Sequence, residues 1–204
     1  MSFTREQIEK AVKSKGYVWF EDANDKGYDV NIVGIRNSET GDEVTNKFDD
    51  KISISYKVDG EWKFHIYDCT TDPGKYWVEN IMRKEGVAAL KEGQYRGSHK
   101  IRLHAGKYPA LGQCGPVTVY RDANKDGCYD LSDDNTQTGL YGINIHRATA
   151  REGKKSRQVD KWSAGCQVIA ANEDWKEFLD ICYKAKDIWG NKFTYTLIES
   201  KDIV

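Results

Sequence analysis

The sequence predicts a mostly β domain with peripheral helices, of the α+β class, and three observations carry that reading. Between about residues 17 and 120 the apolar runs are short and the turn signals dense. Helical periodicity is confined to a stretch near the N-terminus and another after residue 171. The 204 residues make one well-buried domain, whereas two compact domains would each be small. A single domain over 1–204 is therefore expected.

Along the chain, "TREQIEKAVKSK" (4–15) opens with Thr4 as a cap, has an acid in its first turn and sets Ile8, Ala11 and Val12 on one face, an amphipathic helix ending near Gly16. Strands follow in "YDVNIVGIR", "KISISYKV", "KFHIYD", "VAALKEG", "KIRLHAG" and "VTVYRD". Asp59-Gly60, between two alternating runs, predicts a hairpin. "YGINIHRA" alternates again, "NEDWKEFLDICYKAKD" (172–187) is a helix with Asn172 as its cap, and "KFTYTLIES" (192–200) is the last strand.

Composition narrows the function classes. Lysine plus arginine (31) nearly cancel aspartate plus glutamate (32), so the basic footprint of a nucleic-acid binder is missing. The N-terminal residues lack the apolar core of a secretory signal, and no run approaches the roughly 18 apolar residues of a membrane span. Synthesis in the cytoplasm is expected, and a monomer. The five cysteines are odd in number and form no CxxC pair, which indicates reduced thiols rather than a disulfide framework or zinc knuckle.

Two constellations carry chemistry. In "INIHRA", Asn144 and His146 lie on the face opposite Ile143 and Ile145. Twenty residues after His146, "WSAGCQV" puts Ala164 and Gly165 directly before Cys166. Small residues let a substrate carbonyl approach the backbone, and the amides at Gly165–Cys166 suit a developing oxyanion. A free thiol is only a few per cent ionised at neutral pH and needs a base such as His146. The same residues also fit a surface histidine and a buried structural thiol.

The pair "INIHR" and "SAGCQV" resembles the catalytic signature of the L,D-transpeptidase family, over roughly residues 85–200 in layout. The resemblance implies a β-sandwich or open barrel, with residues 1–60 as an N-terminal helix and β extension. It also implies Cys166 as nucleophile, His146 as general base and acid, and the Gly165–Cys166 amides as oxyanion hole, with no cofactor required for the chemistry. Ser163 and Gly165 match the family pattern. Arg147 stands where the family has Gly or Ser, Ala164 replaces its second histidine, and Gln167 follows the cysteine in place of a small apolar residue. Arg147, Asn144 and Gln167 are thus expected to share the polar work at the substrate, and Trp162 to flank it or simply to pack. The basic loop "REGKKSRQ" (151–158) could close over an anionic peptide. Segments such as "TTDPGKYWVEN" and "HAGKYPALGQ" resemble bacteriophage cell-wall lytic proteins, whose partner is bacterial peptidoglycan and which act in phage lysis or as virion components. The alternative is a non-catalytic wall-binding or virion structural module.

The second constellation is "RDANKDGCYDLSDD" (121–134). Asp122, Asn124, Asp126, Cys128 and Asp133 follow the spacing of a calcium loop, with Asp130 able to ligate earlier, and the reading is a structural Ca²⁺ or an acidic turn. "EDANDKGYD" (21–29) reads as a turn. His99 and His104 fall on opposite faces of one strand, poor for a shared metal, although either could line the cleft.

Overall fold

Helix α1 (Arg5–Ser14) starts where the sequence predicts. The Gln7 amide donates to the Thr4 hydroxyl, and the Thr4 amide donates back to the Gln7 side chain. That capping box satisfies two donors which a helix start leaves open. The computed structural model describes residues 2–124 and 126–204, so Met1 and Lys125, the latter within the acidic loop, lie outside the described residues.

Strands β1 (Asn31–Arg36), β2 (Asp50–Val58) and β3 (Glu61–Thr70) come next. The β2–β3 hairpin turns on Asp59 and Gly60, with φ of 51° and 78°, the paired positive values that a two-residue turn of this kind needs. A short helix α2 (Lys75–Glu79) leads to β4 (Val87–Leu90), β5 (Gly93–His104), β6 (Tyr108–Gln113) and β7 (Val117–Asp122). The chain continues through β8 (Thr136–Gly139), β9 (Ile145–Arg147), β10 (Gln167–Ile169), α3 (Asn172–Trp189) and β11 (Phe193–Glu199).

Eight strands form one closed barrel in the order β1-β11-β5-β6-β9-β10-β3-β2, and β4-β7-β8 form a separate sheet. The mostly β, α+β class holds, but the barrel is closed where a sandwich or open barrel was expected. Closure comes from β1, which pairs in parallel with β11 on one side and antiparallel with β2 on the other. Residues 1–60 are therefore no appended extension, since β1 and β2 are two of the barrel strands.

Alternation sorts the two faces of β1. Ile32 points into the main core with Ile52, Ile54, Leu111, Ile145, Ile169 and Leu197, where α3 adds Trp175, Phe178, Ile181 and Cys182. Val33 and Ile35 face outward under the Ile8, Ala11 and Val12 stripe of α1. Because both faces are covered, every residue of β1 is buried.

Local departures from the sequence reading have identifiable causes. Gly142, at φ 75°, breaks the alternating run, so β9 is only three residues long. β6 forms despite Pro109, and α2 and β8 are too short for periodicity to show. Ala171 occupies the cap of α3, which leaves Asn172 as its first helical residue. The 21–29 segment is a turn, as read, held by the Asp22 carboxylate accepting from the Lys26 and Gly27 amides. Among the described residues no helix is long and apolar enough to cross a membrane.

Candidate functional site

The site is built on the parallel pair β9–β10. Its register sets Gln167 against Ile145 and Val168 against His146, and the Gln167 amide donates to the Asn144 carbonyl at 2.8 Å. Ile143 and Ile145 belong to the inner core, so Asn144 and His146 face outward. Gln167 faces inward, where the Tyr195 hydroxyl donates to it, so Cys166 shares the outward face with His146. Cys166 directly precedes β10 and lies two residues before Val168, the partner of His146, so the two candidates stand diagonally across neighbouring strands.

Gly165 and Ser163 shape the turn before the thiol. Gly165 has φ 125°, and a Cβ there would lie 2.0 Å from the Ala88 carbonyl oxygen of β4, so only glycine fits. The fully buried Ser163 accepts from the Gly165 amide at 3.1 Å and donates to the Cys166 carbonyl at 2.7 Å. It therefore positions the turn and does not reach substrate. The Gly165 amide is spent on Ser163, and the Cys166 amide, which has no acceptor among the described residues, is the one left for an oxyanion.

Cys166 is half-buried, and its thiol donates to the Gly142 carbonyl at 3.3 Å rather than to His146. Burial pushes the thiol up to about 11, against the pull of the Asn144 amide. His146 is 3% exposed and donates from Nδ1 to the Arg147 carbonyl at 2.9 Å, which fixes the tautomer and leaves Nε2 as the proton acceptor. Burial first, and His104 second, press His146 down to about 4. Both partners are neutral at pH 7.

Two residues outside the sequence motif complete the site. His104 stacks on His146 with ring centroids 4.2 Å apart, and the Tyr108 hydroxyl lies 3.3 Å from His146 Nδ1. They are paired across the β5–β6 hairpin, in a tight turn after an alternating strand, "KIRLHAGKY", the only signal for them in the sequence. His99, on the opposite face of β5, is fully buried and donates to the Ile143 carbonyl at 2.9 Å. The expected split of the two histidines is observed, and His104 is the one that stacks on His146.

The residues expected at the substrate separate into two groups. Gln167 is fully buried and spends its amide on the Thr71 and Gly165 carbonyls, which removes it from substrate contact. Asn144 bridges the strands, accepting from the Gln113 amide and donating to His104 Nδ1. Arg147 lies over the Tyr108 ring at 4.3 Å, beside the imidazole. Trp162 is 46% exposed and, with Arg151, Lys154 and Lys155, lines an open groove of about 610 Å³.

In the acidic loop the Asn124 side chain donates to both Asp126 and Asp130, and the Cys128 amide donates to Asp126. Asp133 is elsewhere, ion-paired with Lys91 at 2.5 Å at the start of a short 3₁₀ turn. Asp130 therefore takes the place that spacing gave to Asp133. Asp122 is 4% exposed, neither carboxylate oxygen has a partner of hydrogen-bond geometry among the described residues, and burial first, then Asp130 and Asp126, push its carboxyl up to about 6. Among the described residues no three His, Cys, Asp or Glu side chains converge as a ready metal cluster. Comparison of the chain with protein-family models, with curated proteins and with solved structures finds no match.

Proposed function

We propose that the chain is a cysteine-dependent hydrolase of peptidoglycan stem peptides, of the L,D-transpeptidase type, acting as a bacteriophage cell-wall lytic enzyme. One observation carries this reading: Cys166 and His146 share one face of the β9–β10 pair, next to a turn where only glycine fits. His146 Nε2 takes the thiol proton as Sγ attacks the substrate carbonyl carbon, and the Cys166 amide receives the oxyanion. The C–N bond then breaks, the leaving amine takes the proton from His146, and a thioester remains. Water, activated by His146, resolves it to acid and free thiol, whereas a second amine would give transfer. The enzyme is made in the host cytoplasm and meets the wall during lysis or as part of the virion.

The reaction is tested by incubating purified peptidoglycan with the wild type and Cys166→Ala and weighing the stem peptides by mass spectrometry. New shortened or uncoupled stems are expected with the wild type alone; identical products from the two proteins overturn the cysteine mechanism. A second reading, a non-catalytic wall-binding module, is favoured by the bond of the thiol to Gly142 rather than to His146. It predicts that both proteins sediment equally with peptidoglycan and leave it unaltered.

A calcium ion held by Asp122, Asp126 and Asp130 belongs to the same proposal and is supported by the burial of Asp122 beside the other two carboxylates, which push its carboxyl up to about 6. An uncompensated buried charge is costly, and a cation drawing in Asp122, Asp126 and Asp130 would relieve it.

A further inference from the structure

The sheet β4-β7-β8 brings a buried cation to the edge of the thiol turn. Arg121, in β7, is 7% exposed, yet its contacts are neutral: Nε donates to Gln137 at 2.9 Å, Nη1 to the Gly86 carbonyl at 3.4 Å, and the guanidinium lies 4.6 Å from the Tyr141 ring centre. Five N–H donors serve a guanidinium, so three are without a partner among the described residues. Among the described residues no hydrogen bond engages Nη2. It belongs to a side chain lining a cavity of about 250 Å³.

That cavity reaches the turn that precedes Cys166. Ala164, two residues before Cys166, lines it, and so does Ala88, whose carbonyl abuts Gly165. Trp77, Val87 and Leu140 supply apolar walls, and the exposed Arg83 adds a second positive charge. Gly86, whose carbonyl holds Arg121, has φ 81° and no room for a Cβ, which would lie 1.4 Å from the Asp122 carbonyl oxygen. The guanidinium is thus held rigidly from behind.

A buried charge without an opposite partner is expensive unless a ligand supplies one. The planar fork of arginine matches a carboxylate in two-point geometry, and Arg121 is the buried cation of the cavity, Arg83 being exposed at its side. The volume, below the roughly 300–1,000 Å³ of pockets for whole drug-sized ligands, suits a single small residue.

We propose that Arg121 receives the free carboxylate of a peptide's terminal residue in this cavity, making it a specificity-determining residue beside Cys166. The inference rests on the cysteine reading only for the identity of the adjacent reacting atom.

The test uses full-length Cys166→Ala protein and two probes, an N-acetylated dipeptide ending in D-alanine and the same dipeptide ending in an amide. Binding is followed by NMR at the Arg121 Nε–H and the Trp77 indole N–H. The acid is expected to bind about tenfold tighter, the scale of one charge-assisted hydrogen bond. Arg121→Gln should bring the acid to the level of the amide. If that variant does not fold, Arg121→Lys replaces it and should retain only part of the preference. Equal affinities for acid and amide, or a preference that survives loss of the guanidinium, overturn the proposal. A preference that holds while wild type and Cys166→Ala treat peptidoglycan alike keeps the carboxylate site and discards the cysteine mechanism.

Discussion

Cys166 and His146 start from an unionised state, and that sets their pH dependence. In the proposed mechanism the base must be neutral, so activity is expected to be lost as pH falls through the depressed value of His146, about 4. The thiol keeps its proton until pH nears about 11. A plot of kcat/KM should therefore be flat over roughly pH 5–10, since it reports the free-enzyme pKa values. An acid limb near 6.5, the ordinary histidine value, would show that His146 is not held as described. Gly165 answers a different question, that of shape. Gly165→Ala forces a Cβ to 2.0 Å from the Ala88 carbonyl at a φ of 125°. It should cost about 1–3 kcal/mol in a urea melt and abolish activity, because strain of that order accompanies forbidden backbone conformations. A variant as stable and active as the wild type would contradict the packing of this turn.

At the level of elements, the end of β7 carries a buried carboxylate, Asp122, without a hydrogen-bond partner among the described residues. Calcium at a hundredfold excess over Kd stabilises a protein by about 2.7 kcal/mol, so Tm should rise by several degrees with calcium and fall with a chelator. Asp130→Asn should remove most of the shift, and Asp133→Asn, whose carboxylate is held by Lys91, should leave it. A Tm indifferent to both calcium and chelator argues against an ion here. The β5–β6 hairpin matters in another way, because its turn carries His104 and Tyr108 to His146.

For the molecule as a whole, barrel closure by β1 and β2 is the decisive feature. Removing residues 1–60 deletes both strands and exposes the edges of β11 and β3, each left with unpaired backbone groups. The fragment 61–204 should show no cooperative thermal transition by circular dichroism, although it contains all of the candidate catalytic residues. A fragment that melts cooperatively would restore the view of 1–60 as a dispensable extension.

How much was legible follows from the range of each interaction. Local chemistry was readable: the Thr4 capping box, the Asp59-Gly60 hairpin, the α3 stripe and the opposite faces of Asn144 and Ile145 all depend on residues a few positions apart. The small residues before Cys166 read as room for a substrate carbonyl, whereas at Gly165 it is the Ala88 carbonyl of β4 that packs closely. What only the tertiary structure decided was which distant groups meet. The parallel register of β9 and β10 set Cys166 diagonal to His146, the hairpin brought His104, and the second sheet placed Arg121 beside the thiol turn. It also turned Gln167 and Ser163 inward, away from substrate. Periodicity gives the face of a strand, but the neighbour on that face is chosen by sheet pairing between residues far apart in the chain, and pairing is settled by the closure of the whole barrel.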